Sequence, residues 1–161
     1  MTDRLDEITA WHESGHAFAA VWLGATVESV SVNPDVGDGP QCFGDIIVRW
    51  NRDHLTDREI AEKSVMVALG GPVAEMIHRS APMHPATESE WSQDWSFAWS
   101  AADFIAGRKQ RMEHLQQTAR QLYHVFSQDH HWAAIGAIVD HLLAHETLGG
   151  DTVHEIVSEW T

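Results

Sequence analysis

His12-Glu13-Ser14-Gly15-His16 is the stretch on which the reading of this chain turns. It spells HExxH, and on an α-helix side chains four apart lie one turn above each other on the same face. Two imidazoles placed that way can bind one Zn²⁺. Glu13 stays off the metal, where its carboxylate can take a proton from water. With 12 His in 161 residues, chance has to be counted. At this abundance of His and Glu about 0.07 accidental matches are expected. The surroundings favour the motif. Leu5, Ile8, His12, Gly15/His16, Ala19 and Leu23 recur at helical spacing and predict an amphipathic helix over about 4–24, both His on its apolar stripe. Gly24 suits a left-handed stop. The plainer reading is a pair of hydrogen-bonded core histidines, but burying two imidazoles beside a carboxylate is costly without a cation.

Outward from this helix, residues 27–32 alternate and read as a short strand, with Val27, Ser29 and Ser31 on one face. A Pro/Gly/Asp loop follows over 33–41. Residues 42–50, with Ile46, Ile47 and Val48 at their centre, read as a second strand pairing antiparallel with the first. Thr56 and Glu59 form a capping box that opens a helix to about His78. Gly70-Gly71-Pro72 inside it predicts a kink or the close approach of another backbone. Residues 79–90 read as a polar loop, and helices follow at about 91–106, 108–127, 129–146 and 150–160. The expected fold is α+β, mainly α: one domain over 1–161, with a small β-sheet inserted after the HExxH helix.

Net charge is −14, from 24 acidic and 10 basic side chains, and no Lys/Arg cluster interrupts it. Such a surface repels phosphate backbones, which argues against nucleic acid and anionic membranes as partners. It could favour basic substrates, although a solvated surface is the commoner cause. Cys42 is the single cysteine, so no internal disulfide forms, and a reducing compartment fits. No leader is visible and no run approaches the ~18 apolar residues of a membrane span. The expectation is a soluble, cytoplasmic protein of uncertain oligomeric state.

A catalytic zinc usually takes three protein ligands and leaves one position for water. The candidates for the third are Glu75, Asp94 and the i, i+4 pair His141/His145. Asp94 shares a predicted helical face with Ala98, Ala101 and Ile105, pointing it inward, whereas a first-turn Asp can also simply stabilise a helix dipole. Trp91, Trp95 and Trp99 make an aromatic stripe, more often core or interface than a substrate cage. Cys42 reads as a small buried hydrophobe.

Residues 8–17, ITAWHESGHA, resemble the HExxH helix of the FtsH-type zinc peptidases, the proteolytic module of membrane-bound AAA proteases. Three more segments follow in the family's order. Leu69-Gly70-Gly71-Pro72-Val73-Ala74-Glu75 is similar to its LgGraAE helix, and Ser92-Gln93-Asp94-Trp95 with Ala98 and Ala102 to its Asp-bearing segment. Residues 142–150, LLAHETLGG, resemble its C-terminal turn.

The resemblance implies a zincin-like helical peptidase domain holding one Zn²⁺ through His12, His16 and Asp94, with Glu13 as the catalytic base. Glu75 reads either as a supporting residue, accepting a hydrogen bond from a ligand His or a nearby backbone group, or as a helix-face carboxylate in a surface pair. The segment around Phe43 and Gly44 would be an edge strand to which a polypeptide substrate adds. The family couples its peptidase to an ATPase, but this sequence contains no G-x-x-x-x-G-K-[ST]. The expected activity is therefore cleavage of unfolded or flexible polypeptides without an internal motor, or with a separate ATPase or other partner chain. Two alternatives stay open: a non-enzymatic zinc-containing binding module, and a metal-dependent hydrolase of another amide.

Overall fold

Helix α1 (Thr2–Trp22) runs through the middle of the fold. A computed structural model describes residues 2–32, 42–43, 46–80 and 88–161. Every residue from Glu13 to Ala20 is buried, so α1 carries no single apolar stripe over this stretch. The expected amphipathic helix is thus corrected to a central one, buried all round. Its neighbours explain this. Helices α2 (Asp57–Arg79), α5 (Asp129–His145) and α6 (Gly150–Trp160) and strand β1 (Thr26–Ser31) all pack on it. Gly24, at φ +92°, ends α1 in the left-handed conformation that favours glycine.

The sheet is antiparallel, in the order β2-β3-β1-β4, where β2 is Cys42–Phe43, β3 is Ile46–Arg49 and β4 is Thr147–Gly149. The single strand expected at 42–50 is split between β2 and β3. In β1, the pairing with β3 slips one residue between Val27 and Ser29. That bulge puts Val27 and Val30, three apart, both in the core, where strict alternation would have separated them. Phe43 lies on the β2 edge of the sheet, whereas Gly44 and the loop residues 33–41 and 81–87 lie outside the described residues.

Thr56 caps α2 with both bonds of the capping box. Its hydroxyl accepts from Glu59 N at 3.1 Å, and Glu59 Oε2 accepts from Thr56 N at 2.7 Å. Pro72 sits inside α2, and the helix runs on past it to Arg79. A 3₁₀ turn at Ser89–Trp91 leads into α3 (Ser92–Ala102), followed by α4 (Arg108–Phe126). Helix α3 stops four residues short of the expected 106. Bonds of the i→i+3 type from Asp103, Phe104 and Ile105 tighten its end. The last two helices fall within one residue of expectation.

The buried apolar residues form one cluster drawn from the helices and the sheet, with Phe18 edge-on to Phe126 at 5.5 Å. Two contacts position the site. α1 and α2 cross in backbone contact at Gly15 and Gly70, where a Cβ on Gly15 would lie 2.3 Å from the Gly70 carbonyl oxygen. α3 packs against α2. Among the described residues no helix is long and apolar enough to cross a membrane.

Candidate metal centre

Two helices deliver three side chains to one point. His12 and His16 stand one turn apart on α1, with ring centroids 4.8 Å apart, and Asp94 comes from the first turn of α3. His12 Nε2 is 2.8 Å from Asp94 Oδ2, and His16 Nε2 is 3.3 Å from Asp94 Oδ1. One ligand-type atom from each of the three residues falls within 4.8 Å of the others. Asp94 and His16 are buried and His12 nearly so. The buried face of α3 is Asp94, Ala98 and Ala102, so the expected partners Ala101 and Ile105 are corrected to Ala102; both are only half-buried.

The other ring nitrogens are tied back. His12 Nδ1–H donates to Glu75 Oε2 at 3.0 Å, and His16 Nδ1–H donates to the Val67 carbonyl at 2.7 Å. A carbonyl oxygen only accepts, so the His16 proton is on Nδ1 and Nε2 is turned toward Asp94. Both acceptors lie on α2. That helix thus sets the tautomer and rotation of both imidazoles, as the outer partners of metal-binding histidines do.

Glu75 is buried and carries more than the His12 bond. Oε2 also accepts from Trp91 Nε1 at 2.6 Å, and Oε1 accepts from Arg79 Nη1 at 3.0 Å. Burial pushes its pKa up, but His12, Trp91 and Arg79 outweigh this and hold it below the ordinary carboxylate range. Glu13 is buried as well, adjacent to His12 in sequence.

Charge follows from this geometry. Burial opposes a positive charge on His12, yet its hydrogen bonds to Asp94 and Glu75 overcome that and raise its pKa to about 10. His16 is raised likewise, with the Asp94 charge the main effect against burial. Burial also works against the Asp94 anion, but the facing histidines hold its carboxyl well below the usual range. In the metal-free chain, therefore, protons on the imidazoles neutralise the carboxylate at the centre.

Two observations test whether a metal ion fits. The donor set, two imidazole nitrogens and a carboxylate, is that of catalytic zinc sites. The space in front of the nitrogens is kept clear by Gly71 on α2. A Cβ on Gly71 would lie 2.4 Å from His16 Nε2 and 2.8 Å from His12 Nε2, so any side chain there would fill the cradle. The residues fit a small divalent cation.

His141 and His145 are exposed with ring centroids 6.2 Å apart, and they join no group of three metal-binding side chains among the described residues. Of the tryptophan stripe, Trp91 is buried against Glu75, while Trp95 and Trp99 are half-buried. Arg111 lies over the Trp99 ring at 5.0 Å. An open cavity of about 640 Å³ lies beside it at the α3–α4 junction, lined by Trp99, Phe104, Arg108 and Arg111 among others. It holds none of the candidate ligands.

The sequence offered no sign of the parts played by Trp91, Arg79 and the Val67 carbonyl, which depend on contacts between helices. Gly71 had a signal in the Gly-Gly-Pro run, read as close backbone packing without its target. No protein-family model matches the chain, and no curated protein matches it either.

Proposed function

We propose that this chain is a zinc-dependent endopeptidase of the FtsH type, with a zincin-like arrangement of its helices, acting on unfolded or flexible polypeptides. The observation that carries the reading is the convergence of His12 Nε2, His16 Nε2 and the Asp94 carboxylate, each imidazole held from behind through Nδ1. A structural histidine pair needs no such convergence, and it gives no reason for a buried Glu13 beside it.

His12, His16 and Asp94 would hold one Zn²⁺ per chain. When bound, the ion supplies a Lewis acid that polarises the scissile carbonyl and acidifies a water. Glu13 takes the proton from the attacking water and passes it to the leaving amine as the C–N bond breaks. The β2 edge of the sheet at Phe43 would receive the substrate backbone by strand addition. Substrates arrive already unfolded, or a separate ATPase chain delivers them.

The test is metal content and casein cleavage, comparing wild type with Glu13→Gln. We expect one zinc per chain in both, and a fall in turnover of about 10²–10⁴-fold in the variant, the range for loss of a general base. Equal turnover in the two would remove Glu13 from the mechanism. Absence of metal from the wild-type chain would end the zinc reading.

A further inference from the structure

We infer that Trp91 is a positioning residue of the metal centre, acting through Glu75 to fix the His12 imidazole. The inference rests on the metal-site reading above and adds a part that is particular to this chain.

Glu75 Oε2 receives two donors at once, Trp91 Nε1 at 2.6 Å and His12 Nδ1 at 3.0 Å. An indole N–H donates and cannot accept, so it can bind this oxygen only while the oxygen offers a lone pair. The carboxylate is thereby held with Oε2 turned toward His12. Arg79 Nη1 fixes the other oxygen at 3.0 Å and stops the group rotating. Trp91 and Glu75 are both buried, where the bond between them is not exchanged for water.

Placement in the chain gives the second part of the argument. Trp91 ends the 3₁₀ turn before α3, three residues ahead of Asp94. One short segment therefore supplies a group to each side of His12: Asp94 to Nε2, and through Glu75 the donor that secures Nδ1. The docking of α3 on α2 and the orientation of His12 become one event. A ring that merely filled the core could be phenylalanine, which has no N–H to give.

The test measures zinc affinity by competition with a chromophoric chelator, and the absorption spectrum of the Co²⁺-loaded chain, for four proteins. These are wild type, Trp91→Phe, Glu75→Gln and the double variant, with thermal unfolding of each metal-free chain as the fold control. Outer partners of metal-binding histidines are worth about 10–100-fold in affinity. We expect Trp91→Phe to bind zinc about tenfold more weakly with an altered Co²⁺ spectrum. In the Glu75→Gln background the same change should cost nothing further, because the group it acts through is already altered. Unchanged affinity in Trp91→Phe would overturn the inference. So would an equal loss with and without Glu75, which would mark Trp91 as packing alone. Should Trp91→Phe not fold, benzothienylalanine introduced at position 91 keeps the ring shape without the N–H, and the same comparison decides. A wild-type chain that binds no metal would instead refute the metal-site reading, and this inference with it.

Discussion

Gly71 faces His16 so closely that a Cβ at residue 71 would lie 2.4 Å from Nε2 of the imidazole. It would also lie 2.8 Å from His12 Nε2, so of the two glycines on α2 this is the one that opens onto both nitrogens. Glycine in the middle of a helix costs roughly 0.5–1 kcal/mol relative to alanine. At residue 71 that cost goes with an open metal cradle.

Gly71→Ala should therefore separate metal binding from folding. The added methyl costs about 1–3 kcal/mol as an overpacked core, partly offset by better helix propensity. Zinc affinity should fall by more than the ~100-fold that marks the upper limit for outer partners. Metal content after equilibrium dialysis, beside far-UV circular dichroism, checks both. A folded variant with undiminished zinc would show that the cradle is elsewhere.

Gly15→Ala tests the helix crossing that aligns the site. Its Cβ would lie 2.3 Å from the Gly70 carbonyl oxygen and 2.6 Å from Ala74 Cβ, both fixed parts of α2. Neither can swing aside, so α1 and α2 must move apart. We expect a destabilisation at or above the top of the usual range of about 1–3 kcal/mol. In a chain of this size that lowers Tm by roughly 2–4 °C per kcal/mol. Zinc should bind more weakly too, since the crossing sets His16 against Val67 and His12 against Glu75. Calorimetry with and without metal measures the two effects.

Ser14 predicts the opposite sign within the same motif. Its hydroxyl is buried and has no hydrogen-bond partner among the described residues. Ser14→Ala removes a desolvated polar group and raises helix propensity. The variant should be neutral to about 1 kcal/mol more stable in chemical denaturation, with zinc affinity unchanged. A loss of stability there would reveal a bond that the hydroxyl makes in solution.

Local chemistry made much of this fold legible. The capping box at Thr56 and Glu59 and the left-handed stop at Gly24 stand where side-chain type alone puts them. The helices at 108–126 and 129–145 follow directly from apolar spacing. What stayed hidden is non-local. β4 is three residues whose partner, β1, lies more than a hundred positions away, and Gly149-Gly150 by itself reads only as a turn. Gly150 is needed there because a Cβ would run into the Val27 carbonyl. The all-round burial of α1 was masked by Ala17, Ala19 and Ala20, small residues that say little about which faces are covered. At the site, HExxH located His12, Glu13 and His16 unaided, while Asp94 was one of several candidates until the order of motifs singled it out. The geometry brings Asp94 to the histidines and leaves His141 and His145 on the surface. The bond from Trp91 to Glu75 joins the 3₁₀ turn before α3 to α2 across 16 residues, with no periodicity to announce it.

Protonation gives the last prediction, and its sign differs between the metal-free and loaded chains. Without metal, the folded state keeps a proton on His12 to about pH 10, whereas the unfolded chain releases it near 6.5. The stability this contributes is complete below about 6.5 and is lost as pH rises toward 10. Asp94 acts from the other side. Its depressed pKa contributes stability above the ordinary 3.8, lost as pH falls through the folded value. Zinc needs unprotonated imidazole nitrogens, so it displaces these protons and binds more tightly as pH rises. Calorimetric scans should show Tm of the metal-free chain declining between pH 6.5 and 10, and saturating zinc should flatten or reverse the decline. Asp94→Asn should shift the metal-free decline to lower pH, because the chief hydrogen bond that keeps His12 charged is weakened. A metal-free Tm that stays level across the interval, with the same profile in Asp94→Asn, would mean that the carboxylates do not hold the proton on His12.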